Sequence, residues 1–123
     1  MGNGIKKDLE GAVFWLREAA SLNDLNGIFN LAVLYSKGEI NDVSEEEALE
    51  KAAELYLKAS ERGHYPSQSR LGYMYSVGKG VKKDRVQAYV WLTLASQHGI
   101  GTALNALETV VESMSSEEKT AGA

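Results

Sequence analysis

The sequence predicts an all-α solenoid of antiparallel helix pairs, on three observations: an internal repeat, small and apolar residues recurring at helical spacing, and glycines placed just past four of the expected helix ends. Of its 123 residues, 44% are hydrophobic and 24% charged, the composition of a chain that folds around a core. No strand is expected, and the spaced glycines with a single proline argue against a linker, so one domain is expected over 1–123.

The repeat ranks first, because a period of a few tens of residues means units that bury their faces on one another. Gly4-Ile5-Lys6-Lys7-Asp8 reappears as Gly80-Val81-Lys82-Lys83-Asp84, and Ala12, Trp15 and Ala19 reappear as Ala88, Trp91 and Ala95, all at an offset of 76. Between them Ala52, Leu55, Ala59 and Gly63 follow Ala12, Trp15, Ala19 and Asn23 by 40 residues. The remaining offset to Ala88, Trp91, Ala95 and Gly99 is 36, so the middle copy carries a four-residue insertion between Gly38 and Ala52. A second motif alternates with the first: Gly27, Leu31, Ala32, Tyr35 and Gly38 match Ser67, Leu71, Gly72, Tyr75 and Gly78, and Ala103 and Leu107 begin a weaker third copy. Residues four apart are neighbours on a helix, so each set shares one face, and the small residue at 32 or 72 admits a close partner helix.

Local chemistry places the boundaries. Asp8 and Asp84 can accept from the free amides of a first turn, and Ser44 with Glu47 forms a capping box. Helices are predicted over 8–21, 24–37, 44–62, 66–77, 84–98 and 102–114, with Gly38, Gly63, Gly78 and Gly99 in left-handed positions beyond their ends.

This frame resembles the Sel-1-like repeat, a relative of the tetratricopeptide repeat with the pattern A-x-x-x-L-G-x-x-Y, a G-x-G-V-x-x-D turn, then A-x-x-W/Y, A and G. Ser67 to Gly99 fits it nearly completely, while the middle copy has Gly38-Glu39-Ile40-Asn41 in place of G-x-G-V. The resemblance covers a partial repeat at about 4–23, repeats at about 24–63 and 64–99, and a terminal helix at about 102–114. It implies a right-handed α/α superhelix and a scaffold or adaptor for a protein or peptide partner. Met114 to Lys119 is similar to the segment that introduces a closing helix in this family, and Ser115 with Glu118 could cap a short turn there.

Composition narrows function further. Thirteen Lys plus Arg against seventeen Asp plus Glu give a net charge of −4 without a dense basic run, which argues against nucleic acid. The absence of cysteine excludes disulfides and thiolate metal sites. It also blocks any transfer of the β-lactam binding or hydrolysis associated with cysteine-rich members of the family. No stretch approaches a membrane span and the N-terminus lacks a secretory apolar run, so the default location is cytoplasmic, or periplasmic or secreted if a signal was removed.

Catalytic parts are not found. His64 and His98 have no metal-ligand spacing and are expected to be helix-end residues whose cation suits the carbonyl dipole. Glu45, Glu46, Glu47 and Glu50 open a helix, where carboxylates favour the macrodipole and water. No serine sits in a nucleophile motif, and Gly78-Lys79-Gly80-Val81-Lys82-Lys83 lacks the spacing and the preceding strand of a phosphate loop. The expectation is no enzyme, no metal and no cofactor, with a hydrolase of cell-wall or β-lactam-like substrates as the weakest alternative.

If the pairs stack as the resemblance implies, first helices line a concave wall. The arc opposite Leu31 and Tyr35 then holds Asn26, Phe29, Val33, Ser36 and Lys37, followed by Ser69, Tyr73, Ser76 and Val77, and by Asn105, Thr109 and Glu112. These are the expected partner-binding residues; the competing reading is that Phe29, Val33, Tyr73 and Val77 extend the core. Trp15, Trp91, Tyr35, Tyr75, Leu31, Leu71, Leu55 and Leu107 are assigned to the buried frame. Leu9, Val13, Leu16 and Ala20 are expected exposed on a first half-repeat without its partner helix, which predicts a homodimer or a truncated array and makes a self-associating module the second alternative.

Overall fold

Small and apolar side chains recurring three and four residues apart wind the described residues into six helices: α1 (Gly2–Ser21), α2 (Leu25–Ser36), α3 (Glu45–Glu61), α4 (Tyr65–Val77), α5 (Arg85–Gln97) and α6 (Gly101–Ser113). The computed structural model describes residues 2–40 and 43–114, and no strand occurs among them. Each helix packs on its neighbours in sequence, and α4 also touches α6, so the fold is an all-α helical repeat of stacked pairs.

The second helix of each pair ends in one repeated device. The carbonyls of Ala19, Ala59 and Ala95 accept from the amides of Asp24 (2.9 Å), His64 (3.1 Å) and Ile100 (3.2 Å). The residue between, Asn23, Gly63 or Gly99, has φ of 62, 83 or 82°. That left-handed step satisfies otherwise orphaned carbonyls and turns the chain into the next helix, and asparagine tolerates it better than other side chains. Caps open the helices: Ser44 Oγ accepts from the Glu47 amide, as the capping box predicts, and Asp84 accepts from Val86 and Gln87.

The insertion resolves into one extra helical turn. Gly38 and Gly78 stand at equal distances from the caps Ser44 and Asp84, whereas α3 has 17 residues and α5 has 13. Four residues nearly complete a turn, so Ala48, Ala52, Ala53, Tyr56 and Ala59 stay on one buried face.

Three sequence expectations fail at the N-terminus. Helix α1 begins at Gly2 and runs through Asp8, which is therefore no N-cap, so Gly4–Asp8 is helical while its copy Gly80–Asp84 is a loop. The copy is held by neighbours: the Asp84 amide donates to Tyr75 O (3.0 Å), and Gly80 lies against the Leu49 carbonyl of α3. The first copy has no preceding helix among the described residues to impose that shape, and its backbone bonds are satisfied as helix instead. Trp15, assigned to the core, is 70% exposed, and the expected exposed stripe is inverted: Val13 and Ala20 are buried and Leu16 partly so, against α2. Phe14, Trp15 and Leu22 face out instead. The side chain of Leu9 and the tail segment Ser115–Glu118 lie outside those described.

The core forms two clusters joined by Tyr75, one from Val13 to Met74 and one from Ala88 to Met114. Trp91, Leu55 and Leu107 are only partly buried at their margins.

A groove across the first helices

Helices α2, α4 and α6 lie side by side as the first members of successive pairs, and a groove of about 520 Å³ runs across them. Helix α2 contributes Phe29 and Ser36, α4 contributes Pro66, Ser69, Arg70, Tyr73 and Met74, and α6 contributes Thr102 and Ala106. Leu49 and Tyr56 reach it from α3, and Lys79 and Ile100 from the two loops.

Phe29 anchors one wall. Its ring lies 6.0 Å from Tyr56, 4.8 Å from His64 and 5.5 Å beneath the Arg70 guanidinium carbon. Such edge and cation contacts fix a half-buried ring at an open surface. Ser36 Oγ stands 3.5 Å from Tyr56 Oη, and Ser69 Oγ 3.5 Å from Thr102 Oγ1, so hydroxyls punctuate the apolar floor. Across from Phe29, Tyr73 is 49% exposed, which leaves its ring available to a partner.

His64 corrects the expectation of a cation at a helix C-terminus. It is the N-cap of α4, its Nδ1 accepting from the Ser67 amide and lying 2.6 Å from Ser67 Oγ. Burial lowers its pKa from the model-compound value of 6.5, favouring the neutral ring that such an acceptor requires. The reason is position: one residue past the left-handed Gly63, the side chain faces the next helix's free amides rather than the carbonyls behind it. His98 does sit at a C-terminus, as the C-cap of α5, and its ring stacks on Tyr65 with centroids 3.7 Å apart.

Of the expected concave residues, the fold brings Phe29, Ser36, Ser69 and Tyr73 to the groove. Val33 is partly buried against the core, and Ser76 Oγ donates to the Tyr73 carbonyl. Asn26, Lys37, Val77, Asn105, Thr109 and Glu112 are exposed without lining it. Arg70 and Pro66 escaped notice although they share the stripe of Tyr73, at i−3 and i−7. Leu49, Tyr56 and Ile100 had no such signal, because they belong to other elements.

Among the described residues no group of His, Asp or Glu side chains could hold a metal ion. Among them also, no helix is long and apolar enough to cross a membrane.

Comparison with known proteins gives the same repeat boundaries as the geometry. The Sel1 repeat matches residues 1–24, 26–64 and 66–100. The structure of a protective antigen present in uropathogenic Escherichia coli strains, displaying an SLR fold, superposes with a TM-score of 0.77 at 25% identity, over 89% of this chain and 23% of that one. A Sel1 repeat protein from Oxalobacter formigenes superposes with a TM-score of 0.66 at 27% identity, over 77% of this chain and 37% of its own. Human eukaryotic elongation factor 2 kinase is 31% identical over 107 residues, which are 82% of this chain and 14% of the kinase. The chain thus spans a minor part of each of these proteins, and with three matched units between residues 1 and 100 it belongs to the Sel1 repeat family.

Proposed function

We propose that this chain is a non-catalytic scaffold whose repeats act as one domain and take a peptide or protein partner in the groove over α2, α4 and α6. Sel1 repeat proteins are generally protein-interaction scaffolds. The observation that carries the reading to this surface is the groove itself: about 520 Å³ of open space with Phe29 and Tyr73 as aromatic walls and hydroxyls between them. Aromatic anchors beside small polar groups are what peptide-binding surfaces use to combine area with backbone hydrogen bonds. The test is an affinity capture that compares the wild type with Tyr73→Glu, with Phe29→Glu combined with Tyr73→Glu, and with Lys58→Glu on an exposed part of α3. Circular dichroism first establishes equal helicity. A partner lost from both groove variants and kept by Lys58→Glu supports the reading; one kept by all three places binding elsewhere.

A second reading is favoured by α1. Ala12 is exposed, whereas its repeat equivalents Ala52 and Ala88 are 0% exposed beneath the helices that precede them. Beside it Phe14 and Trp15, ring to ring at 5.5 Å, are 58% and 70% exposed. A second copy offering its own α1 would cover this face as a twofold dimer. Head-to-tail stacking on α6 is disfavoured, because Glu108 occupies the place of Ala32 and Gly72, where the next helix must approach closely. Light scattering at tens of micromolar decides it: a dimer that Trp15→Ser converts to monomer is expected, and a wild-type monomer would sink the idea.

A further inference from the structure

The groove carries a charge opposite to that of the molecule around it. The chain has a net charge of −4, yet among the described residues the ionised side chains that line the groove are Arg70 and Lys79, with no carboxylate beside them. Arg70 is exposed, and its guanidinium rests on the Phe29 ring. That stacking holds the head at the groove's edge while leaving its in-plane N–H donors unspent. Among the described residues neither Arg70 nor Lys79 makes an ion pair. Lys79 is shared with an adjoining cleft lined by Glu45, Glu46 and Glu50, so Arg70 is the stronger electrostatic anchor.

We propose, resting on the groove reading above, that the partner presents an acidic peptide segment: an Asp or Glu side chain for Arg70, with Lys79 supporting it, next to an aromatic or aliphatic side chain seated between Phe29, Tyr73 and Ile100. Two donors in a guanidinium plane match the two oxygens of a carboxylate. The apolar floor of Leu49, Met74 and Ala106 then rewards a hydrophobic neighbour, which a purely anionic ligand would lack. A nucleic acid is the poorer fit, because two cations on an acidic molecule do not form a track for a phosphate backbone. A basic segment would meet two like charges and is rejected.

The test is selection of random dodecapeptides displayed on phage, using the full chain and, in parallel, its Arg70→Glu, Lys79→Glu variant. Both substituted positions are exposed, so the fold is expected to survive, and circular dichroism checks it. The wild type is expected to enrich Asp or Glu adjacent to Phe, Trp, Leu or Ile, and the charge-reversed chain to enrich Lys or Arg in their place. For a selected peptide, Arg70→Gln should weaken binding by about 10-fold, and raised salt should weaken the wild type further. Peptides without acidic bias that still depend on Tyr73 would overturn the charge assignment and leave the groove reading intact. Enrichment of no peptide by either protein would overturn both. Displacement of a bound acidic peptide by a single-stranded oligonucleotide of similar length at lower concentration would overturn it in favour of a polyanion site.

Discussion

Gly80 and Gly99 show how one residue type answers two different demands. Both have left-handed φ, 73 and 82°, but a Cβ on Gly99 would meet open space while one on Gly80 would run into the Leu49 backbone. Gly99→Ala is therefore expected to cost about 1–2 kcal/mol of backbone strain alone. Gly80→Ala should cost more, since a carbonyl inside α3 cannot give way; chemical denaturation of the pair measures the difference, and equal losses would contradict the contact. His64 supplies a pH prediction. Its folded pKa lies below the unfolded 6.5, so the protonated form is favoured in the unfolded chain. The stability it contributes is full above 6.5 and is lost as pH falls from 6.5 through the lower folded value. Melting temperatures between about pH 7.5 and 5.5 should fall more for the wild type than for His64→Asn, which keeps an N-cap acceptor but does not titrate. Equal slopes would remove His64 as the cause.

At the level of elements, helix pairing depends on where side chains are missing. A Cβ on Gly72 of α4 would come 2.6 Å from Leu92 Cγ, and one on Gly27 of α2 would meet the Ala19 side chain of α1. These contacts let α4 and α5, and α1 and α2, approach more closely than larger residues permit. Glycine in a helix interior otherwise costs roughly 0.5–1 kcal/mol relative to alanine, so the sign of a substitution reveals which effect wins. Gly11→Ala in α1, with nothing within 4 Å of the new methyl group, should stabilise by up to about 1 kcal/mol. Gly72→Ala should destabilise despite the better propensity, and Leu92→Ala should remove that penalty in a double-mutant cycle. Additivity of the two changes would argue against the contact. The same logic explains the α3 insertion: a whole turn preserves the face, whereas an insertion of two residues would rotate Ala52 and Tyr56 out of the core.

Across the whole molecule, a solenoid gains its stability from neighbouring units, so the ends are its weakest parts. Among the described residues helix α1 packs chiefly on α2, while α2, α3, α4 and α5 each have helices on both sides. Native-state hydrogen exchange should find the least protection in α1 and the most in α3 to α5. Protection uniform from α1 to α5 would mean that the array opens as one unit. If two copies pair through Phe14 and Trp15, protection of α1 should also rise with protein concentration, which ties the self-association reading to an observable within the same experiment.

The sequence by itself determined the six helices among the described residues, their pairing and the left-handed glycines at 38, 63, 78 and 99. These follow from short-range rules: small and apolar spacing writes a helix face, Ser44 and Asp84 cap, and Gly63 and Gly99 take the left-handed step past α3 and α5. It also marked a groove-facing stripe at Phe29, Ser36, Ser69 and Tyr73, because the side of a helix away from its buried stripe is readable from periodicity. Tertiary structure alone decided what lies beneath and beside that stripe. Leu49 and Tyr56 enter the groove from α3, Ile100 enters from a turn, and Arg70 is drawn over Phe29 by a ring in a different repeat. It also decided that Trp15 faces out while its repeat partner Trp91 packs against the core, and that one five-residue motif is helix at Gly4 and loop at Gly80. The physical reason is common to all of these. A residue's burial and a loop's shape depend on which neighbouring helix supplies the other surface, and repeat periodicity records the position without recording whether that neighbour is present.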